Sequence, residues 1–204
     1  MARPQAPDYE ERREAIVEKA SQLFAENGFL GTSVSQIADA CGASKSLLYH
    51  YYPSKEDVLY AVMASHVDTL EEVVDDIAAR QLEPRQALRQ VLVEFMQEYV
   101  NAAARQKVVL NDLGHLPEPR GRAIVAKQRK IIDFVQALLV EINPGLADSH
   151  GVQRALTMLI FGMINWTSTW YKPDRTLTPV EVADLVYEMA IGGSVRHSQS
   201  KCAD

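Results

Sequence analysis

Residues 28–56 of this chain read GFLGTSVSQIADACGASKSLLYHYYPSKE. Apolar side chains recur at the i, i+3, i+4, i+7 spacing of one helix face over residues 34–41. A turn at Gly42 leads into a second helix over residues 45–52, which Pro53 ends. Two helices this short cannot bury their apolar faces alone, so they must pack on a third. The stretch therefore predicts a helix-turn-helix whose second member is free to enter a DNA major groove.

Serine residues mark the beginnings of the helices in this stretch. Ser33 and Gln36 have the spacing of a capping box for the helix over residues 34–41. Ser44 precedes the next helix and Ser54 the one after it, and both are good N-cap residues. The sequence thus specifies where each of the three helices begins.

The second helix of the motif presents polar and flat side chains that can meet base edges and phosphates. These are Lys45, Ser46, Tyr49, His50 and Tyr51. Leu48 is expected to face the core. Lys55, beside the unpaired N–H groups of the following helix, is expected to anchor a phosphate, with Thr32 and Ser33 at the opposite flank.

The rest of the chain is also predicted to be helical, with no strand pattern and no internal repeat. A loose region is expected at Gly114–Gly121, and the last helix is expected to begin with the capping box Thr178-Pro179-Val180-Glu181 and to end at Gly192–Gly193. The other predicted helices cover residues 8–27, 54–80, 84 onward, 122–143 and 148–171. This pattern predicts an all-α protein.

The charge balance limits how the chain can bind DNA. The net charge is −6, and residues 1–60 hold six Lys/Arg against nine Asp/Glu. Between residues 27 and 55, however, Lys45 and Lys55 face Asp39 alone. Phosphate contacts must come from this small local set, so we expect binding to depend on salt.

Several classes of protein are disfavoured by what the sequence lacks. No apolar stretch approaches the roughly 20 residues needed to cross a bilayer, and residues 1–7 do not resemble a signal peptide. Cys41 and Cys202 are far apart, which fits a reducing cytoplasm. No His-Glu-x-x-His motif, paired cysteines, phosphate loop or nucleophile elbow is present, so we expect neither an enzyme nor a metal site. A purely structural helical bundle is a further alternative, but it leaves the aromatic second helix of the motif unexplained.

The motif resembles the N-terminal signature of the TetR family of bacterial regulators over about residues 10–60. The shared pattern is Gly-aromatic, a Thr/Ser pair, Ile-Ala, Ala-x-Gly, Ser-Lys, Leu-Tyr, two aromatics and Ser-Lys-Glu. Ala43 stands where valine is usual, and Tyr51-Tyr52 where His-Phe or Tyr-Phe is common. The resemblance implies about nine helices, with a three-helix DNA-binding domain over residues 1–53 and an effector-binding and dimerisation domain over residues 54–204.

The resemblance also implies a homodimer that binds a palindromic operator as a repressor, with its two recognition helices about 34 Å apart. Residues 156–170, apolar nearly all round, and the stripe over residues 182–189 would pair with their mates. Activation of genes instead of repression stays open. The residues that correspond to DNA-contacting positions are Thr32, Ser33, Ser44, Lys45, Ser46, Tyr49, His50, Tyr51, Tyr52 and Lys55.

A small-molecule effector is implied as well. The segment over residues 161–174 is similar to the penultimate helix of TetR members that sense acyl-CoA thioesters, while a drug-like ligand of an efflux regulator is the alternative. An acyl-CoA would need an apolar tunnel and cations at its mouth, where basic residues 105–130 are candidates. The candidate effector residues are Met96, Tyr99, Arg105, Arg129, Phe134, Phe161, Asn165, Trp166 and Trp170.

Overall fold

The computed structural model describes residues 7–173 and 177–201, with side chains described over residues 9–173 and 177–192. Cys202 and the side chain of His197 lie outside these ranges. Two short 3₁₀ turns, Leu113–His115 and Pro144–Leu146, occur among the helices. In the described part of the chain the helices are α1 Pro7–Gly31, α2 Val34–Ala40, α3 Lys45–Tyr51, α4 Lys55–Ala79, α5 Pro84–Asn101, α6 Ala103–Asp112, α7 Glu118–Ile142, α8 His150–Trp170 and α9 Pro179–Lys201. The all-α prediction is confirmed.

The described residues divide into two compact units. The first contains the described chain up to Val67 together with Ala104–Val125, and the second contains Asp68–Ala103 together with the described chain from Ala126 onward. The division falls inside α4 and α7 and after the first residue of α6. A domain boundary after residue 53 stays a prediction.

The first unit is built around the apolar faces of α1, α2 and α3. Phe24 of α1, Ile37 of α2 and Leu48 of α3 are almost completely buried, as are Leu59 and Val62 of α4. Because α2 and α3 have only seven residues each, they depend on this packing for their stability. The first three helices therefore form the predicted helix-turn-helix.

α1 breaks its helical geometry near its end, at Gly28, whose φ is 73° and ψ 165°. Glycine adopts a positive φ without the steric cost of a side chain. The break frees the backbone N–H of Phe29, which donates to Asp112 Oδ1 at 3.2 Å, and Asp112 itself is buried. We call residues 28–32 the Phe29 corner.

The second unit packs α5 against α8 and α9. Its core contains Leu88 and Phe95 of α5, Ile160 and Ile164 of α8, and Val182 of α9. Ion pairs within the same unit join Lys127 and Lys130 of α7 to carboxylates of α4. The carboxylates are Asp68, Glu71 and Asp75.

Two expectations about helix limits were wrong. The segment expected to be loose contains a 3₁₀ turn and, from Glu118, the first turn of α7, because Pro119 fits the first turn of a helix, where no N–H partner is needed. The last helix continues past Gly192 to Lys201, since a glycine inside a helix costs only about 1 kcal/mol and does not by itself end it. The capping box of Thr178 and Glu181 is confirmed. None of the helices that the structure describes is long and apolar enough to cross a membrane.

We expect Asp112→Ala to destabilise the protein by about 1–3 kcal/mol, because the N–H of Phe29 would lose its buried acceptor. Urea denaturation followed by circular dichroism measures the change. Asp39→Ala, at an exposed carboxylate of α2, is the matched control and should stay within about 0.5 kcal/mol of the wild type. Equal stability of the two variants would contradict a structural role for Asp112.

Candidate nucleic-acid interface

α3 presents one buried residue to the core and an exposed face on its other sides. Leu48 is buried, as predicted. Tyr49 is 48% exposed. The other exposed residues of the predicted set are Ser33, Ser44, Lys45, Ser46 and His50, while Tyr51 is half-buried. The structure therefore brings most of the predicted DNA-contacting residues together on and beside α3.

The predicted caps hold α2, α3 and α4 in place. Ser33 Oγ accepts from the N–H of Gln36, whose side chain in turn accepts from the N–H of Ser33. Ser44 Oγ accepts from the N–H of Leu47 at 3.1 Å. Ser54 Oγ accepts from the N–H of Asp57 at 3.0 Å. The three serines are thus engaged in helix caps, and each cap is confirmed.

Lys55 turns inward toward the Phe29 corner. Its Nζ donates to the carbonyl oxygens of Phe29 and Thr32, each at 2.8 Å, and lies 4.1 Å from the centroid of the Phe29 ring. An ammonium group has three donors, and two of them are used here. At least two of the three donors of Lys55 therefore serve the fold, and its contact with a phosphate stays a prediction.

Thr32 has a structural position. Its side chain is 1% exposed, and its hydroxyl donates to the carbonyl of Gly28 at 2.9 Å, with that of Leu23 at 3.1 Å. Thr32 was expected to place its hydroxyl at the flank of the interface, but the buried hydroxyl is bonded within the fold instead.

Tyr52 is also buried and binds back onto α1. The guanidinium of Arg13 lies over its ring, 5.3 Å from the centroid. Burial raises the pKa of Tyr52, and the hydrogen bond with Arg13 opposes that rise. Burial acts to lower the pKa of Arg13, but the bond to Tyr52 and nearby acidic groups raise it overall. The Tyr52 ring therefore fixes the end of α3 and does not lie open on the surface.

Sequence reasoning missed two residues beside this face. Leu47 on α3 is 37% exposed and could contact a thymine methyl group. The predicted contacts of this helix were polar and flat side chains, so an exposed leucine was not among them. Tyr9 of α1 lies 4.8 Å from Tyr51, measured between ring centroids. A contact across 42 positions of sequence leaves no local signal.

The predicted effector residues of the second unit occupy different positions within that unit. Met96, Tyr99 and Phe161 are buried in the core of the second unit, where Phe161 packs on Phe95 at 6.4 Å between ring centroids. Trp166 and Trp170 are instead 67% and 55% exposed. They line an open apolar groove of about 560 Å³ between α8 and α9. Phe134 and Asn165 are half-buried.

The basic residues expected at an effector mouth are mostly engaged in ion pairs. In the first unit Arg105 pairs with Glu14 and Glu18, and Arg120 pairs with Asp57. Burial acts to raise the pKa of Asp57. The hydrogen bonds with Ser54 and Arg120 outweigh burial, and the pKa of this carboxyl is lowered overall. The remaining basic candidates fall into two groups. Arg122, Lys127 and Lys130 are paired with acidic residues, while Lys107 and Arg129 are exposed.

Comparison with known families decides what this arrangement is. Residues 16–62 match the family model described as bacterial regulatory proteins, tetR family. Residues 81–194, more than half of the chain, match the one described as tetracyclin repressor-like, C-terminal domain. The chain belongs to the TetR family. It is a helix-turn-helix DNA-binding transcriptional regulator, and α3 is the second helix of the motif.

Individual relatives agree with this assignment. A TetR-family transcriptional regulator from Bordetella parapertussis is 38% identical in sequence and has a TM-score of 0.85, over 90% of this chain and 96% of that one. The repressor KstR2 of Mycolicibacterium smegmatis is 27% identical over 94% of this chain and 95% of its own length. AibR, whose crystal structure contains isovaleryl coenzyme A and operator DNA, is 27% identical with a TM-score of 0.77, over 87% of this chain and 97% of that one.

We expect Tyr49→Ala to weaken operator binding about 5- to 150-fold while the fold survives, because an exposed side chain that reads a base contributes about 1–3 kcal/mol. Electrophoretic mobility shifts on a duplex selected from a randomised pool by the wild type measure the affinity. Leu110→Ala, at another exposed residue of the first unit, is the control. Unchanged affinity of Tyr49→Ala would remove this residue from the interface.

Proposed function

We propose that this protein is a ligand-responsive repressor that binds a palindromic operator as a homodimer. The exposed polar and aromatic face of α3 carries the proposal, because it can meet base edges in a major groove. Lys45, Ser46, Tyr49 and His50 are the proposed base and phosphate contacts. The caps of Ser33 and Ser44, together with Lys55, set the position of that face. We propose that this repressor acts in the cytoplasm, because its operator DNA lies there.

Charge explains why a dimer is needed. The exposed cation of α3 is Lys45, with exposed Asp39 on α2, and the whole chain carries a net charge of −6. A single subunit therefore gains little from phosphate attraction. Two linked recognition helices raise the affinity, because the second binds as an intramolecular event.

The dimer contact proposed here is the outer face of α8 and α9. It carries large apolar side chains that face solvent in the single chain, of which Leu159 is 64% and Met189 65% exposed. Together with Trp166, Trp170 and Leu185 they form a continuous apolar surface along two neighbouring helices. An exposed patch of this kind marks an interaction site, and a second copy of the same helices would cover it.

We expect Leu185→Glu to raise the dissociation constant of the dimer at least about 100-fold, because burying an unpaired carboxylate costs several kcal/mol. Sedimentation equilibrium measures the association, and mobility shifts should lose the operator complex in parallel. Leu110→Glu, which adds the same charge at an exposed residue of the first unit, should remain dimeric. A dimeric Leu185→Glu would exclude this face.

For the effector we propose a short-chain acyl-CoA thioester. The support is the relative AibR, whose structure holds isovaleryl coenzyme A with operator DNA, and the match of residues 81–194 to a TetR C-terminal domain model. An effector releases DNA only if it binds the DNA-free state more tightly. Exposed Arg129 is a candidate cation for the CoA phosphates.

We expect isovaleryl-CoA to lower the apparent operator affinity about 5- to 150-fold, the usual range of coupling between two sites. Fluorescence anisotropy of a labelled operator, titrated with isovaleryl-CoA, measures the release, and calorimetry on the free protein measures binding. Free coenzyme A is the matched control and should be without effect. Binding of neither compound would reject the thioester and leave the DNA-binding function intact.

A further inference from the structure

Three aromatic rings form a cluster where the start of α1 meets the end of α3. The ring of Tyr9 lies 4.8 Å from that of Tyr51, tilted by 38°, and 6.5 Å from that of His50 at 90°. His50 and Tyr51 also contact each other, at 5.5 Å between centroids. We call these three residues the Tyr9 cluster. Offset and edge-to-face arrangements such as these are the favourable geometries for aromatic pairs.

A second contact, one helical turn along α1, repeats the same connection. Arg13 lies four residues after Tyr9 and therefore on the same side of the helix. Its guanidinium lies over the ring of Tyr52, 5.3 Å from the ring centroid. Consecutive residues at the end of α3 are thus held by consecutive turns of α1.

The two contacts differ in what they hold. Tyr52 is buried, so Arg13 anchors the backbone end of α3 inside the fold. His50 is exposed and Tyr51 half-exposed, so Tyr9 acts on side chains that can still reach DNA. A side chain in the last turn of a seven-residue helix has few neighbours on its own helix to fix its rotamer.

We propose that Tyr9 is a positioning residue for operator reading: its ring fixes the rotamers of His50 and Tyr51 on the recognition helix. A base contact needs a side chain held in the productive geometry before DNA arrives, and packing by a neighbouring ring provides this. Tyr9 thereby affects which sequence is preferred as well as how tightly DNA is bound. The inference rests on the proposed function of α3.

The experiment compares wild type, Tyr9→Ala and Tyr9→Phe. Each protein selects duplexes from a randomised DNA pool, and its affinity is then measured for the wild-type consensus and for every single-base variant of it. Glu11→Ala, at an exposed residue in the same turn of α1, is the matched control. Thermal unfolding of each variant reports the stability of the fold separately.

We expect Tyr9→Ala to lose about tenfold in consensus affinity, the value of one or two aromatic contacts. Its discrimination should fall selectively at the base pairs that His50→Ala and Tyr51→Ala also affect. Tyr9→Phe, which keeps the ring, should restore the wild-type profile, and Glu11→Ala should match it throughout.

Two results would overturn the proposal. One is a Tyr9→Ala variant whose preference among bases is unchanged. This includes a variant that loses the same affinity at every sequence, in proportion to its loss of thermal stability. The other is a wild-type protein that enriches no sequence, which would reject sequence-specific reading by α3 together with this inference.

Discussion

The position of the helix-turn-helix depends on the contacts of the Lys55 ammonium group. Lys55 is the first residue of α4, and its ammonium binds the carbonyl oxygens of Phe29, near the end of α1, and of Thr32, just after α1. It also lies over the Phe29 ring. The chain between these points contains α2 and α3. Fixing both ends of that segment restricts where the two short helices can lie. Asp112 completes the corner from α6 by accepting the N–H of Phe29.

The sequence pattern assigns Lys55 to phosphate binding, but the structure shows that this lysine also holds the fold together. Two of the three donors of Lys55 serve the fold, so a phosphate at the third would add to a site that is already built. A substitution of Lys55 would therefore affect the stability of this corner of the fold whether or not the side chain contacts a phosphate. A loss of DNA binding after substitution of Lys55 would not by itself identify a phosphate contact. Exposed Tyr49, which has no such structural duty among the hydrogen bonds described, gives the cleaner evidence about the interface.

Local sequence signals predicted the parts of the site that depend on neighbouring residues. The caps of Ser33, Ser44 and Ser54 and the inward position of Leu48 follow from short-range spacing, and all were confirmed. The contacts of Asp112 and Tyr9 join distant parts of the chain, so no window of sequence contains them. The effector residues proposed for the second unit stay a prediction, because residue type alone does not tell where such side chains lie. Methionine, for example, fills the core at Met96 and lies on an exposed face at Met189.

The acidic character of the chain limits how its DNA-binding function can work, and several cations of the first unit are paired with carboxylates within the fold. In the first unit Arg13, Arg105 and Arg120 each bind a carboxylate, so these cations add little to the field at the surface. Phosphate attraction is then weak, and recognition must rest on the geometry of a few side chains. Geometry of that kind is effective only when rotamers are fixed in advance and when two subunits act together. The packing of α1 on the end of α3 would fix side chains within one subunit. The apolar face of α8 and α9 would join two subunits, so both features would compensate for weak phosphate attraction.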